Sequence, residues 1–414
     1  MKKTLLAALI GMTVMFGFGA AGYCEVGVTD TEIHIGQWGP QTGPAAAWGA
    51  VARGTDAYFK WINANGGIHG RKLVHHFFDD AYNPAKTKAG VKQLQEQTGI
   101  FAWVAGVGTA PGLAVKDYLL ERKIPWVGPS SGSRHWVDPP EKYIFNVYPL
   151  YLGDAQVLTE YAVTTLGKKK IAIVYQNDDY GRQGLEGAEF VMKQKGMALV
   201  ASIPAAVTDT DMKPHVMKLK QSEADAVLLF VTPGGVARLI GTGKAMQFEP
   251  QWLSTTTCGD FPLMMAITKG LYKGVISASF GMGQPTGNVG KIQSMDPPAL
   301  DLLATYKKEV YEKYASKDER WGYTFSTGIG LSEPLVEALK RCGRELTREK
   351  LVRELEGLKD FKGLMGRITY LPFDPEDPKC RIGQNEIYLQ ECMDGGESKI
   401  LTDWQKTEYI PPGE

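Results

Sequence analysis

At 414 residues, the chain has length for two to three domains. Apolar residues make up 43% and charged residues 22%, the balance of a folded globular protein with sizeable cores. Its 46 basic and 46 acidic side chains cancel, which excludes an electrostatic footprint for nucleic acid or an anionic membrane surface.

The N-terminus reads apart from the rest. Met1-Lys2-Lys3, the apolar run Thr4 to Phe18 and the small residues Gly19 to Gly22 have the order of a secretory signal peptide, expected at 1–24. The stretch to Tyr23 is also nearly long enough for a membrane anchor, but the small residues and the strand soon after them favour cleavage. Tyr23 argues against a lipid anchor on Cys24, because such signals carry a small residue there. The expectation is an exported, periplasmic, monomeric protein with no stable membrane insertion once the leader is gone.

From there strands and helices alternate. A short strand at Glu32–Gly36 leads through a Gly/Pro/Thr loop into an apolar-periodic helix from Trp48 to Ala64. Asn65-Gly66-Gly67 stops it. Strands follow at Lys72–Phe78, Phe101–Ala105, Ile124–Val127 and Tyr143–Val147, with helices between, one opened by Asn83-Pro84. The pattern then restarts. Helices at Asp154–Leu166 and Gln183–Lys195 alternate with strands at Lys170–Tyr175, Leu199–Ile203, Asp225–Phe230, Trp252–Leu253 and Gly274–Phe280. Thr208 or Asp209 is expected to cap a further helix. Helices return at Pro298–Tyr314, Ser326–Arg341 and Thr347–Leu358, before a Pro- and Gly-rich tail of strands and turns. This order predicts an α/β protein of two doubly wound, Rossmann-like lobes with parallel sheets covered on both faces.

Strand-end loops are where such sheets bind ligands. Trp38, Trp48 and Trp136 lie in or beside these loops, whereas Trp61, Trp103, Trp126 and Trp252 sit on core-like patterns. Gly106-Val-Gly-Thr-Ala-Pro111 begins like a dinucleotide fingerprint, but Pro111 replaces the third glycine and no acidic residue follows at the required distance. Its free helix-start amides and the Thr109 hydroxyl still form a cradle for a carboxylate. Gly128-Pro-Ser130-Ser131-Gly132 matches a nucleophile elbow, with His135 nearby. The elbow requires a helix directly after the serine, and Val137-Asp-Pro-Pro140 forbids one. A secreted serine hydrolase is therefore the alternative reading, and hydroxyls that hold a polar head fit better. His75 and His76 are strand neighbours pointing to opposite faces, unsuited to one metal. No Cys/His spacing matches a zinc site, so no metal or other cofactor is expected. Cys380 and Cys392 flank a turn and are the best candidates for a disulfide, with free buried thiols the other reading.

Gly39-Pro-Gln-Thr-Gly-Pro44 with Trp48-Gly49, Ile62-Asn-Ala-Asn-Gly-Gly-Ile-His-Gly70, Phe78-Asp-Asp-Ala-Tyr-Asn-Pro84, and Ile171–Tyr175 leading into Asp179-Tyr180-Gly181 carry a family resemblance. Across essentially the whole mature chain, the sequence resembles type I periplasmic solute-binding proteins, in particular the branched-chain amino-acid-binding group that serves ABC transporters. The resemblance implies two lobes joined by three crossings near Tyr148–Tyr151, Val275–Phe280 and Phe361–Gly366. The N-terminal lobe is then 25–148 plus 277–362, and the other 149–276 plus 363–414. It implies capture of a small organic ligand in the cleft by hinge closure and delivery to a membrane permease, without chemistry on the ligand; a ligand-sensing receptor module shares the fold. Carried over by position, Trp48 lies against the ligand's apolar part. Thr109, Ser130, Ser131 and Gly132 hold a carboxylate or amide head. Tyr180 closes from the second lobe, whose remaining wall is Thr232 and the Ser254–Asp260 loop. Trp38 and Tyr323 add aromatic surface. The family's ammonium-binding glutamate is replaced by Thr256. Asp260, or Asp178 beside Tyr180, is the remaining acidic candidate, and otherwise the ligand lacks an ammonium group.

Overall fold

A computed structural model describes residues 25–281 and 297–409; the expected leader and Cys24 lie outside them. Five strands, β1 (Glu32–Gly39), β2 (Lys72–Asp79), β3 (Ala102–Val104), β4 (Trp126–Val127) and β5 (Ile144–Phe145), form a parallel sheet in the order β2-β1-β3-β4-β5. The helices α1 (Ala50–Ala64), α2 (Pro84–Gln97) and α3 (Thr109–Glu121) connect them. Asn83 starts α2 by accepting from the amides of Ala85 and Lys86, with Pro84 in the first turn.

The chain then enters α4 (Tyr151–Thr164) and repeats the pattern. β6 (Ile171–Gln176), α5 (Asp179–Gln194), β7 (Ala201–Ala205), α6 (Lys213–Gln221), β8 (Ala226–Phe230), α7 (Pro233–Ala245), β9 (Gln251–Ser254), α8 (Phe261–Ile267) and β10 (Ile276–Ser279) follow. Their strands are parallel in the order β7-β6-β8-β9-β10, the same winding as the first sheet. Every residue of β8 is buried, as a central parallel strand covered on both faces requires.

Beyond 296 come α9 (Pro297–Tyr306), a π-helical turn at Lys307–Tyr311, α10 (Glu312–Tyr314), α11 (Tyr323–Cys342) and α12 (Arg348–Glu356). Helix α11 lies along α1 and reaches β3 and β4, so it covers the first sheet. Two glycines allow that approach. A Cβ on Gly54 would meet Phe325 O at 2.0 Å, and one on Gly328 would meet Val51 O at 1.9 Å. The Thr55 hydroxyl donates to Gly328 O at 3.0 Å across the same seam. The chain ends in the hairpin β11 (Phe361–Gly363) and β12 (Gly366–Ile368), then β13 (Glu386–Cys392), β14 (Ser398–Ile400) and β15 (Gln405–Lys406). β13 adds antiparallel to β10 and carries the last two strands.

The alternation and two-lobed winding are as expected; several details are not. β10 pairs with β9, so a lobe boundary after residue 276 would cut a strand in half. Phe361–Gly366 is a hairpin rather than a crossing. The tail stays on the first lobe beyond it: Ile382 bridges Asn146, Tyr370 Oη donates to Asn146 O, and Arg381 donates to Glu141 O and Lys142 O. The tail returns to the second sheet only at β13. Neither Thr208 nor Asp209 caps α6, which begins after Met212 with no capping side chain. Cys380 and Cys392 are both buried free thiols, as are Cys258 and Cys342. Cys380 sits in a turn against the first lobe and donates to Asp374 O, while Cys392 lies at the end of β13. Among the described residues, no helix is long and apolar enough to cross a membrane.

Candidate functional site

The carboxyl ends of both sheets face one cleft, where a cavity is lined from the two sides. Trp48 and Val51 come from the start of α1, Tyr82 from the loop after β2, Val107 and Gly108 from that after β3, and Ser130 from that after β4. Tyr180 stands in the first turn of α5, and Thr256 and Thr257 in the turn after β9. Tyr148 and Tyr151 line it from the segment entering α4, and Tyr323, Thr324 and Thr327 from the start of α11. The space, open solvent included, is about 460 Å³.

Local chemistry places each group. Gly108 has φ +99°, and a Cβ there would meet the Tyr82 ring at 2.5 Å. It opens α3 without a capping side chain; Pro111 has no N–H and Gly112 N bonds Gly108 O, so the Thr109 and Ala110 amides are those left over, next to the lining residue Gly108. Thr109 Oγ1 and Ser131 Oγ share a hydrogen bond of 2.8 Å behind them. On the second lobe, Asp178 caps α5 by accepting from the amides of Tyr180 and Gly181. Tyr180 Oη is held by the hydroxyls of Thr255, at 3.2 Å, and Thr257, at 2.9 Å. The Trp48 ring packs on Tyr82 at 5.5 Å, and its Nε1 donates to Thr257 O at 2.9 Å, joining the two walls.

Behind Thr256 stands Asp154, fully buried in α4. Its Oδ2 accepts from the Thr256 amide at 3.0 Å and the Thr256 hydroxyl at 2.7 Å, and that hydroxyl accepts from Tyr148 Oη at 3.0 Å. Asp154 Oδ1 is buried with no partner among the described residues. Desolvation raises the Asp154 pKa to about 7, with the Thr256 bonds offsetting part of the effect. Burial likewise lifts Asp178 and Asp260 above the usual carboxylate range, and it keeps the phenols of Tyr82, Tyr148, Tyr180 and Tyr323 neutral.

Of the residues expected at a site, Trp48, Ser130, Tyr180, Thr256 and Tyr323 line the cavity. Thr109 and Ser131 stand directly behind it. Gly132 supports it through its carbonyl, which accepts from Tyr151 N at 2.8 Å. Three candidates are elsewhere. Trp38 is completely buried because β1 runs on to Gly39, which turns its indole onto Trp103 and Trp126. Thr232 is spent capping α7, where it accepts from Gly235 N. Asp260 caps α8 and accepts from Leu263 N at 3.1 Å, while its other oxygen accepts from Thr324 N at 2.9 Å across the cleft. Trp136 is also core, edge-on to Trp126. The His135 ring faces Asp179 at 3.6 Å rather than Ser130 or Ser131.

Sequence reasoning passed over Tyr82, Tyr148, Tyr151 and Asp154. Tyr82 lies inside the motif before Pro84, and both Tyr148 and Tyr151 in the segment expected to cross between lobes, so their positions were marked but not their roles. Asp154 carried no signal, because its partner Thr256 is 102 residues away.

A family model described as periplasmic binding protein matches residues 32–393. A Leu/Ile/Val-binding protein homologue of Brucella melitensis is 27% identical over 223 residues, 54% of this chain and 58% of that protein. The leucine-specific-binding protein of Salmonella typhimurium is 22% identical over 266 residues, 63% of this chain and 68% of that one. Among solved structures, a fatty acid ABC transporter substrate-binding protein from Thermomonospora curvata superposes with a TM-score of 0.78 at 25% identity, covering 93% of this chain and 95% of its own. A branched-chain amino acid ABC transporter protein from Thermus thermophilus with bound valine has a TM-score of 0.77 at 21% identity, with coverages of 91% and 97%.

Proposed function

The chain is a member of the periplasmic binding protein family, and from that premise we propose that it is an exported, monomeric solute-binding protein that captures a small organic ligand between its lobes and hands it to an ABC permease. One observation carries the reading. Groups from both lobes line one cavity, and Trp48 of one wall bonds Thr257 of the other. A ligand that touches both walls stabilises the closed form, because only differential affinity shifts that balance. Closure then provides the signal a permease reads, and the ligand undergoes no reaction. The relatives, named for binding leucine, isoleucine, valine or fatty acids, support an organic acid or amino acid as cargo. We assign 25–148 with 297–383 to the first lobe and 149–279 with 385–409 to the second, following the sheet pairings and tail contacts above.

A thermal-shift screen of amino acids, aliphatic and aromatic acids and amides tests this reading, coupled to small-angle scattering. A saturating ligand should raise the melting temperature by mass action and reduce the radius of gyration. Failure of every compound to do either, together with ester turnover that depends on Ser130, would replace it by the hydrolase alternative.

A further inference from the structure

Among the described residues, those lining the cavity include no Asp, Glu, Lys, Arg or His, and six of them are aromatic: Trp48, Tyr82, Tyr148, Tyr151, Tyr180 and Tyr323. The nearby carboxylates are committed to the protein. Asp178 and Asp260 cap helices, and Asp260 also bonds Thr324 N. Asp154 faces Thr256 from behind, with no surface in the cleft. Thr256 itself donates to Asp154 and accepts from Tyr148, so it offers a ligand one lone pair and no charge. The Trp48 and Tyr180 polar atoms are likewise occupied, by Thr257 O and by the Thr255 and Thr257 hydroxyls.

What remains unspent is a set of donors. The Thr109 and Ala110 amides at the start of α3 have no capping side chain and follow the lining residue Gly108, and Ser130 lines the cavity. Tyr323 Oη is buried with no hydrogen-bond partner among the described residues; the Ser279 hydroxyl and the Phe280 amide lie near it, outside hydrogen-bonding geometry. A helix start with its dipole, a serine hydroxyl and an orphan phenol match a carboxylate, which only accepts. An ammonium, which only donates, would find hydroxyl lone pairs there but no carboxylate among the described lining residues, and burying its charge without one is costly.

We infer that the ligand is a small aromatic monocarboxylate without an ammonium group, its carboxylate on the α3 start and its ring among the six aromatic walls. The inference rests on the solute-binding reading and narrows it. The Tyr323 hydroxyl supplies a further donor to the bound acid.

The test is calorimetric titration of the mature protein with two matched pairs: 3-phenylpropanoate against phenylalanine, and 4-methylpentanoate against leucine. Within each pair the only difference is the ammonium group. The phenyl acid should bind about 100-fold more tightly than phenylalanine, and about tenfold more tightly than 4-methylpentanoate. Tyr323→Phe should cost about tenfold for the phenyl acid while leaving the melting temperature near that of the wild type. Tighter binding of phenylalanine or leucine than of its partner acid overturns the inference and leaves the solute-binding reading standing. A preference for 4-methylpentanoate over the phenyl acid overturns the aromatic assignment. Silence from all four compounds also overturns it, and the broader screen above then decides the solute-binding reading separately.

Discussion

Trp48 and Thr257, on opposite walls of the cleft, are joined by a hydrogen bond of 2.9 Å from the indole Nε1 to the backbone carbonyl. The bond exists only when the lobes meet, so Trp48 contributes to closure as well as to the apolar wall. Trp48→Phe keeps a ring but removes the donor. Ligand affinity should fall about fivefold to tenfold, the value of one neutral hydrogen bond, with little change in melting temperature. Unchanged affinity by titration would mean that the bond adds nothing to the closed state.

A second contact between the lobes lies at the rim. Arg134 Nη1 donates to Glu186 Oε1 at 2.8 Å, the Arg134 amide donates to Gln183 Oε1 at 2.7 Å, and Gln183 Nε2 donates to Ser133 Oγ at 3.0 Å. The ion pair is partly exposed, so it is worth about 1 kcal/mol. Arg134→Ala should raise the ligand off-rate about fivefold and leave the on-rate nearly unchanged, because the pair forms after encounter. Stopped-flow fluorescence separates the two, and an effect confined to the on-rate would contradict a latch.

Asp154 makes the stability depend on pH. Its folded pKa, about 7, lies above the ordinary carboxylate value, so between roughly pH 4 and 7 the folded state holds a proton that the unfolded chain has lost. Stability from this group is therefore full below pH 4 and is lost as pH rises toward 7, by on the order of 4 kcal/mol. Glu333, buried against Tyr306 and Leu364 N and also raised to about 7, acts with the same sign. Asp154→Asn keeps an oxygen for the Thr256 amide and hydroxyl and cannot ionise. Its melting temperature should exceed the wild type's at pH 8, with the difference shrinking toward pH 4. A difference that grows as the pH falls would show that Asp154 is charged and paired in the folded protein.

The seam between α1 and α11 positions one side of the site. Gly328→Ala would place a methyl 1.9 Å from Val51 O, so backbone must move. Chemical denaturation should show a loss of about 2 kcal/mol. Ligand affinity should fall as well, because Val51 sits on α1, Trp48 in the turn that leads into it, and Tyr323, Thr324 and Thr327 on α11. Full stability in the variant would refute the close approach.

Much of this was legible in the chain. Alternating strand and helix patterns give the two doubly wound lobes, since side-chain period is a local property. The Gly/Pro-rich loops at strand ends lie at the cavity, and Trp48, Ser130, Tyr180 and Thr256, expected from them, line it. Trp38 is core for a local reason: β1 continues three residues past Gly36, and one more strand residue decides which face an indole takes. The contacts of the tail were not legible, because Tyr370 and Arg381 donate to carbonyls at Asn146, Glu141 and Lys142, distant partners that no local pattern encodes.

Sequence alone determined the fold class, the family resemblance and which loops form the cleft, because these follow from periodicity, turn residues and contiguous motifs. It also raised the absence of a glutamate at Thr256. Only the tertiary structure decided what that absence means. Asp260 and Asp178 turned out to be spent on helix starts, Asp154 to be sealed behind Thr256, and the Tyr323 hydroxyl to have no partner among the described residues. Whether a polar group is available to a ligand depends on which distant group has already satisfied it, and that is settled only when the chain has packed.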